Sequence, residues 1–424
     1  MNEFSGPNTS KPRGRLGRRN PSADSVFGLV AGGVAVAGLL ALGQVVKLIQ
    51  PQDAVAVGIN AAYDANNDVL VYHHIQRYFH YNPDGTLYLK LVAKGTSLTA
   101  MCGAAGAVQQ LLADETTGLS IRKVGVVLNP LTAPAAGDYT TGLLSDVLTA
   151  VPAAQALTVA LAAQAIYVDN IMLEGLLSST ASIGTLPDLR ALASDSVSVC
   201  IAADPATYAD TGAYAAIGSA LGMLSVRKVS ECLGSVDVQN KPNASKGTLT
   251  YPLTDAAKGY FLSAGLSNGK TFASLTEAEK TALGDKGYIY AGRFAGFDGV
   301  YFNDSHTCIE ASDDYAYIED TAVWNKAVRY LRTGLIPLFR GTVEVDAATG
   351  YMTPGTMAYY QAKGVKAVKP MATAGEISGE PTVIIEPNQD VVGTSKVSLS
   401  VSYVRQAVLR TLDAEVGAVN PAAR

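Results

Sequence analysis

One stretch of the chain decides its fold: residues 286–346, KGYIYAGRFAGFDGVYFNDSHTCIEASDDYAYIEDTAVWNKAVRYLRTGLIPLFRGTVEVD. Tyrosine and isoleucine at its start predict a short strand, and Asn-Asp-Ser at 303–305 ends a second apolar run with residues typical of turns. From about residue 313 the apolar residues take the period of an amphipathic helix, which Gly334 and Pro337 end. The stretch therefore predicts a strand, a polar loop, a helix and a further strand, as in a mixed α/β domain.

Three short motifs in this stretch resemble a known protein family. They are GVYFNDSHT at 299–307, DY at 314–315 and NKAVR at 325–329. Together they resemble the C-terminal domain of contractile tail sheath proteins, which build the outer sleeve of phage tails and related injection machines. The residues that match the family's motif are Gly299, Asp304, Ser305 and Thr307.

The resemblance implies a structural role. A sheath subunit polymerises into stacked rings around an inner tube and contracts to drive that tube through the host envelope. The expected partners are other copies of the chain, the inner tail tube protein, and the baseplate and tail terminator proteins, without nucleic acid. The implied location is the virion, as part of a phage tail assembled in the cytoplasm of the bacterial host. Both a phage tail and another contractile injection system fit this reading.

The composition favours an assembly subunit. Only 16% of the 424 residues are charged, against about a quarter in ordinary globular proteins, so we expect neighbouring subunits to cover much of the surface. The net charge of −5 gives no general footprint for nucleic acid. The four cysteines lie far apart without a CxxC pair, which predicts buried, reduced thiols.

The first 25 residues form a predicted N-terminal arm. They are polar and irregular, and they hold few side chains that a core would use. The arm is expected to dock on a neighbouring subunit, and the alternative is a disordered basic tail. Its basic residues with an expected role in assembly are Arg13, Arg15, Arg18 and Arg19.

The C-terminal end holds a predicted strand and a second arm. Apolar residues alternate with serines there, as in a strand with one buried face. The apolar residues are Val397, Leu399 and Val401. The resemblance implies that residues 405–424 add to the sheet of an adjacent subunit by strand exchange.

The helix of the opening stretch has a basic face, formed by Lys326, Arg329 and Arg332. Two explanations fit these charges. Basic residues near the carboxyl end of a helix complement the helix dipole within one chain. The same residues are also candidates for a charged contact with another subunit.

Residues 26–46 allow two interpretations. The run VFGLVAGGVAVAGLLALGQVV is uncharged, follows a basic flank and is long enough to span a membrane. On that reading the alternative function is a membrane-anchored or exported surface protein. Five glycines interrupt the run, however, and no belt of aromatic residues marks its ends. These features favour buried strands split by a turn at Gly32-Gly33, so a membrane contact is not expected.

Helical and strand patterns alternate between residues 47 and 225. The predicted helices are 52–63, 68–81, 98–113, 140–150, 152–166 and 210–224, and the predicted strands are 86–93, 124–128 and 197–203. This alternation indicates a mainly parallel or mixed sheet covered by helices on both faces. Later in the chain, residues 370–381 are predicted to be a linker or loop.

The sequence as a whole predicts a multidomain α/β or α+β fold, with mixed sheets flanked by helices and with extended N- and C-terminal arms. The predicted parts are an N-terminal arm (1–25), α/β N-terminal and outer domains (26–285), a sheath-like C-terminal inner domain (286–404) and a C-terminal arm (405–424). The inner domain is expected to pack on its neighbours and on the inner tube.

Two glycine-rich motifs resemble sites of catalysis or phosphate binding. GLSNG at 265–269 fits the nucleophile pattern G-x-S-x-G, but the sequence predicts neither the buried strand before it nor the helix directly after it. GKT at 269–271 lacks a glycine at the spacing of a phosphate-binding loop. Neither motif predicts an active site.

The remaining candidates for chemistry are histidines and a triad-like sequence. His73, His74 and His80 are not spaced to share a metal ion and are expected to pack at a surface or interface. The adjacent residues Asp304-Ser305-His306 project in different directions, so they form no relay, and the aspartate and serine are expected to cap a turn. We therefore predict no enzyme and no catalytic, cofactor or metal site.

Overall fold

The computed structural model describes residues 23–114 and 116–418. Contacts divide these residues into two compact units. The first unit contains residues 23–229 and 233–325, and the second contains residues 230–232 and 326–418. The predicted N-terminal arm, with its four arginines, lies outside the described residues except for its last three positions.

A seven-stranded sheet forms the centre of the first unit. The strands of this unit are β1 (Val26–Gly33), β2 (Val45–Leu48), β3 (Thr86–Ala93), β4 (Lys123–Val127), β5 (Tyr139–Thr140), β6 (Leu143–Leu144), β7 (Asn170–Glu174), β8 (Val197–Cys200), β9 (Ala202–Ala203), β10 (Gly265–Leu266), β11 (Tyr288–Ile289), β12 (Ala291–Gly292) and β13 (Tyr301–Phe302). The order in the large sheet is β11-β8-β7-β4-β1-β3-β2. Neighbouring strands in it run parallel, except that β2 is antiparallel to β3.

Helices cover both faces of this sheet. They are α1 (Pro51–Ala56), α2 (Ala61–Asn67), α3 (Val71–Tyr81), α4 (Leu98–Cys102), α5 (Ala107–Leu112), α6 (Ser145–Ala163), α7 (Pro205–Thr211), α8 (Ile217–Ser225) and α9 (Glu277–Asp285), and α10 (Ile318–Leu335) begins in this unit. One core contains Phe27 and Leu29 with side chains of α3 and α8, and the other contains Val30 with side chains of α4 and α6. Successive residues of β1 thus bury opposite faces, which explains why its sequence is a continuous apolar run.

Residues 26–46 are strand and turn, as one of the two interpretations predicted. β1 lies between β3 and β4, and residues 27–33 are all buried. The predicted turn at Gly32-Gly33 is wrong, because both glycines belong to β1 and the chain turns at 36–44. A Cβ at Gly32 would stand 2.3 Å from the carbonyl oxygen of Leu128, so the close approach of another backbone requires this glycine.

Glycine and proline explain most of the helix boundaries that differ from the prediction. The predicted helix 98–113 is two helices, α4 and α5, with Gly103 and Gly106 between them. The two helices predicted over 140–166 are the single helix α6, which contains Pro152. The helix predicted at 52–63 is also divided, into α1 and α2, and Gly58 between them has a φ of +84°.

Helix α6 is the only described helix with the length and apolar composition to cross a membrane. Core helices have the same composition, and its buried residues include Val147, Ala150 and Leu157. These side chains belong to the same apolar core as β7 and β8. In all, 39% of the apolar window of this helix is buried inside the protein.

The second unit combines a long helix with a β-hairpin. After the end of α10 its elements are α11 (Pro354–Thr373), β14 (Ile377–Ile385), α12 (Val391–Thr394) and β15 (Leu399–Arg405). β14 pairs with β15 in an antiparallel two-stranded sheet. The fold class predicted from the sequence, mixed sheets flanked by helices, is confirmed by the seven-stranded sheet, and the second unit adds an antiparallel hairpin.

The predicted linker over residues 370–381 is wrong. Its first part is the last turn of α11, and its second part begins β14. Pro370 lies inside α11, where its ring nitrogen has no hydrogen to donate to the carbonyl of Lys366, and the helix ends three residues later. Pro381 lies within the strand, where the pairing with β15 is irregular between Ser378 and Thr382, and such irregularities accommodate proline.

The large sheet also includes part of the stretch that decides the fold. β11 pairs with β8 through Tyr288 and Ile289, so the beginning of this stretch belongs to the same sheet as β1. The contacts of the chain divide it at residue 325. The predicted division into parts at 25/26, 285/286 and 404/405 concerns roles in an assembly and stays a prediction.

Candidate functional site

The motif segment, residues 299–309, joins the large sheet to the start of α10. Cys308 N donates to Val197 O at 2.9 Å, and Ser198 Oγ donates to His306 O at 2.7 Å. On the other side of the segment, Ile318 N donates to Ser305 O at 2.9 Å. The segment therefore acts as a buried strap that fixes the first turn of the helix against the edge of the sheet.

The four motif residues have structural roles in this strap. Asp304 Oδ1 accepts from the adjacent Ser305 N at 2.7 Å, but residues 303–305 form no turn, so the turn cap predicted from the sequence is wrong. Ser305 Oγ donates to the carboxylate of Glu319, and Thr307 Oγ1 donates to Tyr315 O at 3.0 Å. Gly299 is buried with a φ of +100°, a conformation that favours glycine.

His306 takes part in a contact of its own and not in a relay. Arg190 Nη2 donates to its Nδ1 at 2.9 Å, while the hydroxyl of the neighbouring Ser305 points to Glu319. The same guanidinium donates from Nε to Asp285 O at 2.7 Å and from Nη1 to Ile309 O at 3.1 Å. The strap is thus held from both sides by hydrogen bonds to buried groups.

The basic residues of α10 do not form one exposed face. Lys326 is buried in the second unit, and its Nζ lies 2.6 Å from Oε1 of Glu376. Arg329 is half-buried, and Arg332 is exposed. Of the three residues named from the sequence, Arg332 is therefore the one available to a neighbouring subunit.

Two of the three hairpin residues named from the sequence, Val397 and Leu399, line an apolar cavity. Val397, Leu399 and Val401 are half-buried, and the serines between them are exposed, as the alternation predicted. The cavity has a volume of about 760 Å³. It is lined within the second unit by Val397 and Leu399 together with Leu335, Leu338, Phe339, Val343, Val345, Tyr360, Val391 and Val392, among others.

The segment that follows the hairpin, residues 406–418, has no helix or strand. It carries three large apolar side chains that are strongly exposed: Leu409 at 74%, Leu412 at 75% and Val416 at 98%. Exposed apolar side chains on an extended segment are typical of parts that become buried by a partner. This segment is the described part of the predicted C-terminal arm.

The carboxyl ends of the parallel strands, where α/β sheets commonly bind ligands, are closed by the protein's own side chains. The carboxylate of Glu174 accepts from Leu128 N at 2.8 Å and from Ala215 N at 3.0 Å, and burial raises its pKa to about 7. Asn129 donates to Gly32 O and accepts from Leu70 N. The side chains of Glu174 and Asn129 therefore bind backbone groups of the protein itself at this end of the sheet.

Other residues that the sequence offered as candidates for chemistry are buried within the protein. Ser267 is buried, and its Oγ donates to Gly175 O at 2.7 Å and accepts from Leu177 N at 3.0 Å. His74 is fully buried and accepts at Nδ1 from Gly218 N at 3.1 Å, so the prediction of surface packing is wrong for it. The four cysteines are buried and form no disulfide, as predicted.

One surface feature was missed from the sequence. Tyr167, Tyr315 and Trp324 surround a cavity of about 290 Å³ in the first unit, with Asp195 in its wall, and we call it the aromatic pocket. The two tyrosine rings stand edge-on to the indole, each with a centroid distance of 6.3 Å. The isolated Trp324, the single tryptophan of the chain, was the signal available in the sequence.

Comparisons with known proteins agree with this architecture. The N-terminal domain of the DUF2586 family matches residues 5–306, and the C-terminal domain of that family matches residues 314–423. No curated protein matches the chain.

Among solved structures, the chain is similar to one from the anti-feeding prophage (AFP) helical sheath in the contracted state, determined by cryo-EM. The TM-score is 0.58 at 15% identity, over 98% of this chain and 99% of that chain. A chain of the 6-fold symmetrised AFP baseplate gives 0.59 at 15% identity, over 99% of both chains. A chain of the AFP baseplate in the contracted state gives 0.52 at 14% identity, over 98% of both. The chain therefore belongs to the DUF2586 family, and its fold is similar to that of proteins in the AFP sheath and baseplate.

Proposed function

We propose that this protein is a structural subunit of a contractile sheath, which polymerises into stacked rings around an inner tube and contracts to drive that tube through a host envelope. The β14–β15 hairpin carries this proposal. This hairpin is a small two-stranded sheet, and the extended segment 406–418, with its exposed apolar side chains, follows it directly. A small sheet followed by an extended segment suits the addition of strands between copies.

Strand exchange would link the copies mainly through backbone hydrogen bonds. A strand added to an open edge uses backbone N–H and C=O groups, so the pairing needs little side-chain complementarity. In this proposal the C-terminal arm, 405–424, adds to the hairpin of an adjacent subunit. The N-terminal arm takes part through Arg13, Arg15, Arg18 and Arg19, and Arg332 of α10 provides a charged contact.

The proposed roles of the parts follow from their place in such an assembly. Residues 286–404 would form the inner domain, next to the tube, and residues 26–285 would form the outer one. Contraction would be a rigid-body movement of subunits whose arms stay paired. The energy would come from a metastable assembled state, so the protein needs neither a nucleotide nor an active site.

The partners and location follow from the same proposal. The partners are other copies of the chain, an inner tail tube protein, and baseplate and tail terminator proteins. The location is a virion or a related injection particle assembled in the bacterial cytoplasm. The near-complete overlap with a chain of the AFP helical sheath supports these assignments.

Removal of the arms tests the proposal. We expect the purified full-length protein to form rings or hollow polymers, visible by negative-stain electron microscopy and as high mass in light scattering. A variant without residues 410–424, and another without residues 1–20, should unfold cooperatively near the temperature of the full-length protein but form no long polymers.

Two outcomes would contradict this. A full-length protein that stays monomeric across salt and protein concentrations would speak against a sheath subunit. Truncated variants that polymerise as well as the full-length protein would show that strand exchange by the arms is not the linking contact. Circular dichroism melting curves serve as the control, because they separate a loss of folding from a loss of assembly.

A further inference from the structure

We propose that the aromatic pocket is a binding site for a small organic cation that carries a guanidinium group. In this proposal the flat face of the guanidinium contacts the aromatic rings, and its N–H groups donate to the carboxylate of Asp195. The inference is independent of the sheath function proposed above, and it concerns residues of the first unit alone. It rests on the rings, on the carboxylate, and on the size and charge of the pocket.

The rings of the pocket suit a flat cation. The indole of Trp324 lies at 75° to the ring of Tyr167 and at 78° to the ring of Tyr315. Aromatic rings attract cations to their negative faces, and several rings around one cavity form the cages that bind organic cations. Because a guanidinium is planar and more weakly hydrated than an ammonium group, it stacks well on such faces.

A carboxylate in the wall favours a cation that can donate hydrogen bonds. Asp195 is half-buried, and its Oδ1 accepts from Gln155 Nε2 at 2.8 Å and from Ser196 Oγ at 2.7 Å. Its Oδ2 accepts no hydrogen bond from any residue in the described ranges. The carboxylate is therefore held in place through one oxygen, and the other is available for a charge-assisted hydrogen bond from a guanidinium.

Hydrogen bonds within the protein fix the walls of the pocket. Asn325 Nδ2 donates to Val168 O at 2.9 Å, which joins α10 to the residue two positions before β7. Thr321 Oγ1, from the same helix, donates to Asp195 O at 3.1 Å. The helix that carries Trp324 is thus tied to the backbone beside the carboxylate. Because the site is formed before a ligand arrives, binding requires little ordering of side chains.

The size and the charge of the pocket limit the ligand to a small positive molecule. Its volume of about 290 Å³ lies at the lower end of the range for small-molecule sites, about 300–1,000 Å³. None of the described residues that line it is basic, and Asp313 and Asp314 are exposed directly before Tyr315. Because 39% of Trp324 is exposed, a ligand reaches the rings from solvent, near carboxylates that attract positive charge.

Fluorescence of Trp324, the single tryptophan of the chain, reports on the pocket. Titration of the full-length protein with butylguanidinium should shift the emission to shorter wavelength in a saturable way, because the ligand replaces water beside the indole. Butylurea is the matched control ligand, since it has the same shape without the charge. We expect butylurea to bind at least about tenfold more weakly.

Substitutions in the pocket locate the binding site. Asp195→Asn keeps an oxygen acceptor for its two hydrogen bonds but removes the charge, and it should weaken binding of butylguanidinium by about tenfold. Tyr167→Leu removes one ring and should weaken binding by about fivefold. Asp298→Asn and Tyr359→Leu, at exposed positions outside the pocket, are the matched controls and should leave the affinity unchanged. Because the two pocket variants alter different side chains, failure of one to fold leaves the other as a test.

Three results would overturn the proposal. A fluorescence change that does not saturate, or that butylurea produces equally well, would show that the pocket is no cation site. Equal affinity of the wild type, Asp195→Asn and Tyr167→Leu would place the ligand elsewhere on the protein. If the emission of the wild type shifts when the protein is diluted without any ligand, a second copy fills the pocket, and the assignment to a small molecule is wrong.

Discussion

At Gly299 a single backbone angle explains why the strap needs glycine. The φ of +100° is strained for any residue with a Cβ, and a Cβ there would stand 2.8 Å from Cβ of Pro252. Gly296, three residues earlier, also has a positive φ, +74°, but a Cβ there would meet no atom within 4 Å. A side chain at Gly296 would meet backbone strain alone, whereas a side chain at Gly299 would meet backbone strain and a steric clash.

We expect Gly299→Ala to lower the free energy of unfolding by about 3 kcal/mol, the sum of backbone strain and overpacking. Gly296→Ala, which has the strain alone, should cost about 1 kcal/mol. Urea unfolding curves of the two variants measure the difference. Equal losses would show that the contact with Pro252 relaxes freely.

His74 predicts a dependence of stability on pH. Burial, with the nearby Arg77 as a further cause, lowers its pKa from 6.5 to about 3. Because the folded state excludes a proton that the unfolded state binds, the stabilisation is present above pH 6.5 and is lost as the pH falls below it. The slope approaches about 1.4 kcal/mol per pH unit.

The variant His74→Gln tests this, since its amide oxygen can still accept from Gly218 N. Between pH 7 and about 5, the wild type should lose about 2 kcal/mol more unfolding free energy than the variant. Comparison of the two proteins cancels the contributions of titrating groups that do not interact with His74. Parallel stability curves over this range would contradict the assignment.

At the scale of elements, a buried ion pair joins the middle of α10 to the residue directly before β14. Lys326 and Glu376 keep only 7% and 6% of their side chains exposed. Lys369 and Glu380 form a second ion pair in the same unit, with 56% and 63% exposed. The two pairs join the same types of side chain and differ in burial.

We expect Lys326→Met to destabilise the protein by about 3 kcal/mol, because it leaves a buried carboxylate without its cation. Lys369→Met should cost less than about 1 kcal/mol, since water screens the exposed pair. The double variant Lys326→Met with Glu376→Met should recover most of the loss. Denaturant unfolding measures all three, and similar losses in both single variants would contradict the role of burial.

At the scale of the whole molecule, the exposed apolar residues of segment 406–418 should act in assembly and not in folding. The triple variant Leu409→Asp, Leu412→Asp and Val416→Asp should keep its melting temperature, because these side chains are exposed in the isolated chain. It should form no long polymers, because burial against a neighbour would then place charges in an apolar contact.

The matched control carries three aspartates at exposed leucines on the first unit, Leu131, Leu249 and Leu262. Its charge change is the same, and it should polymerise like the wild type. Electron microscopy and light scattering measure both variants. If the control alone fails to polymerise, loops of the first unit make the contacts between copies.

The sequence alone determined the strands and helices whose patterns involve residues close together in the chain. The apolar run at 26–33 indicated a strand buried on both faces, and the alternation from 397 to 401 indicated the half-buried strand of the hairpin. The amphipathic period in the opening stretch indicated α10. These predictions succeeded because residues within one strand or helix share a periodicity that a few positions are enough to reveal.

Only the tertiary structure decided which distant groups meet. Lys326 appears as a surface charge in the sequence, but its partner Glu376 lies 50 residues away and buries it. His74 accepts a hydrogen bond from Gly218, and the backbone of Leu128 approaches Gly32 closely. Asp195 lines the same pocket as Trp324, which comes from another part of the chain. Such contacts follow from packing between elements, and the local pattern of one segment holds no information about the segment that covers it.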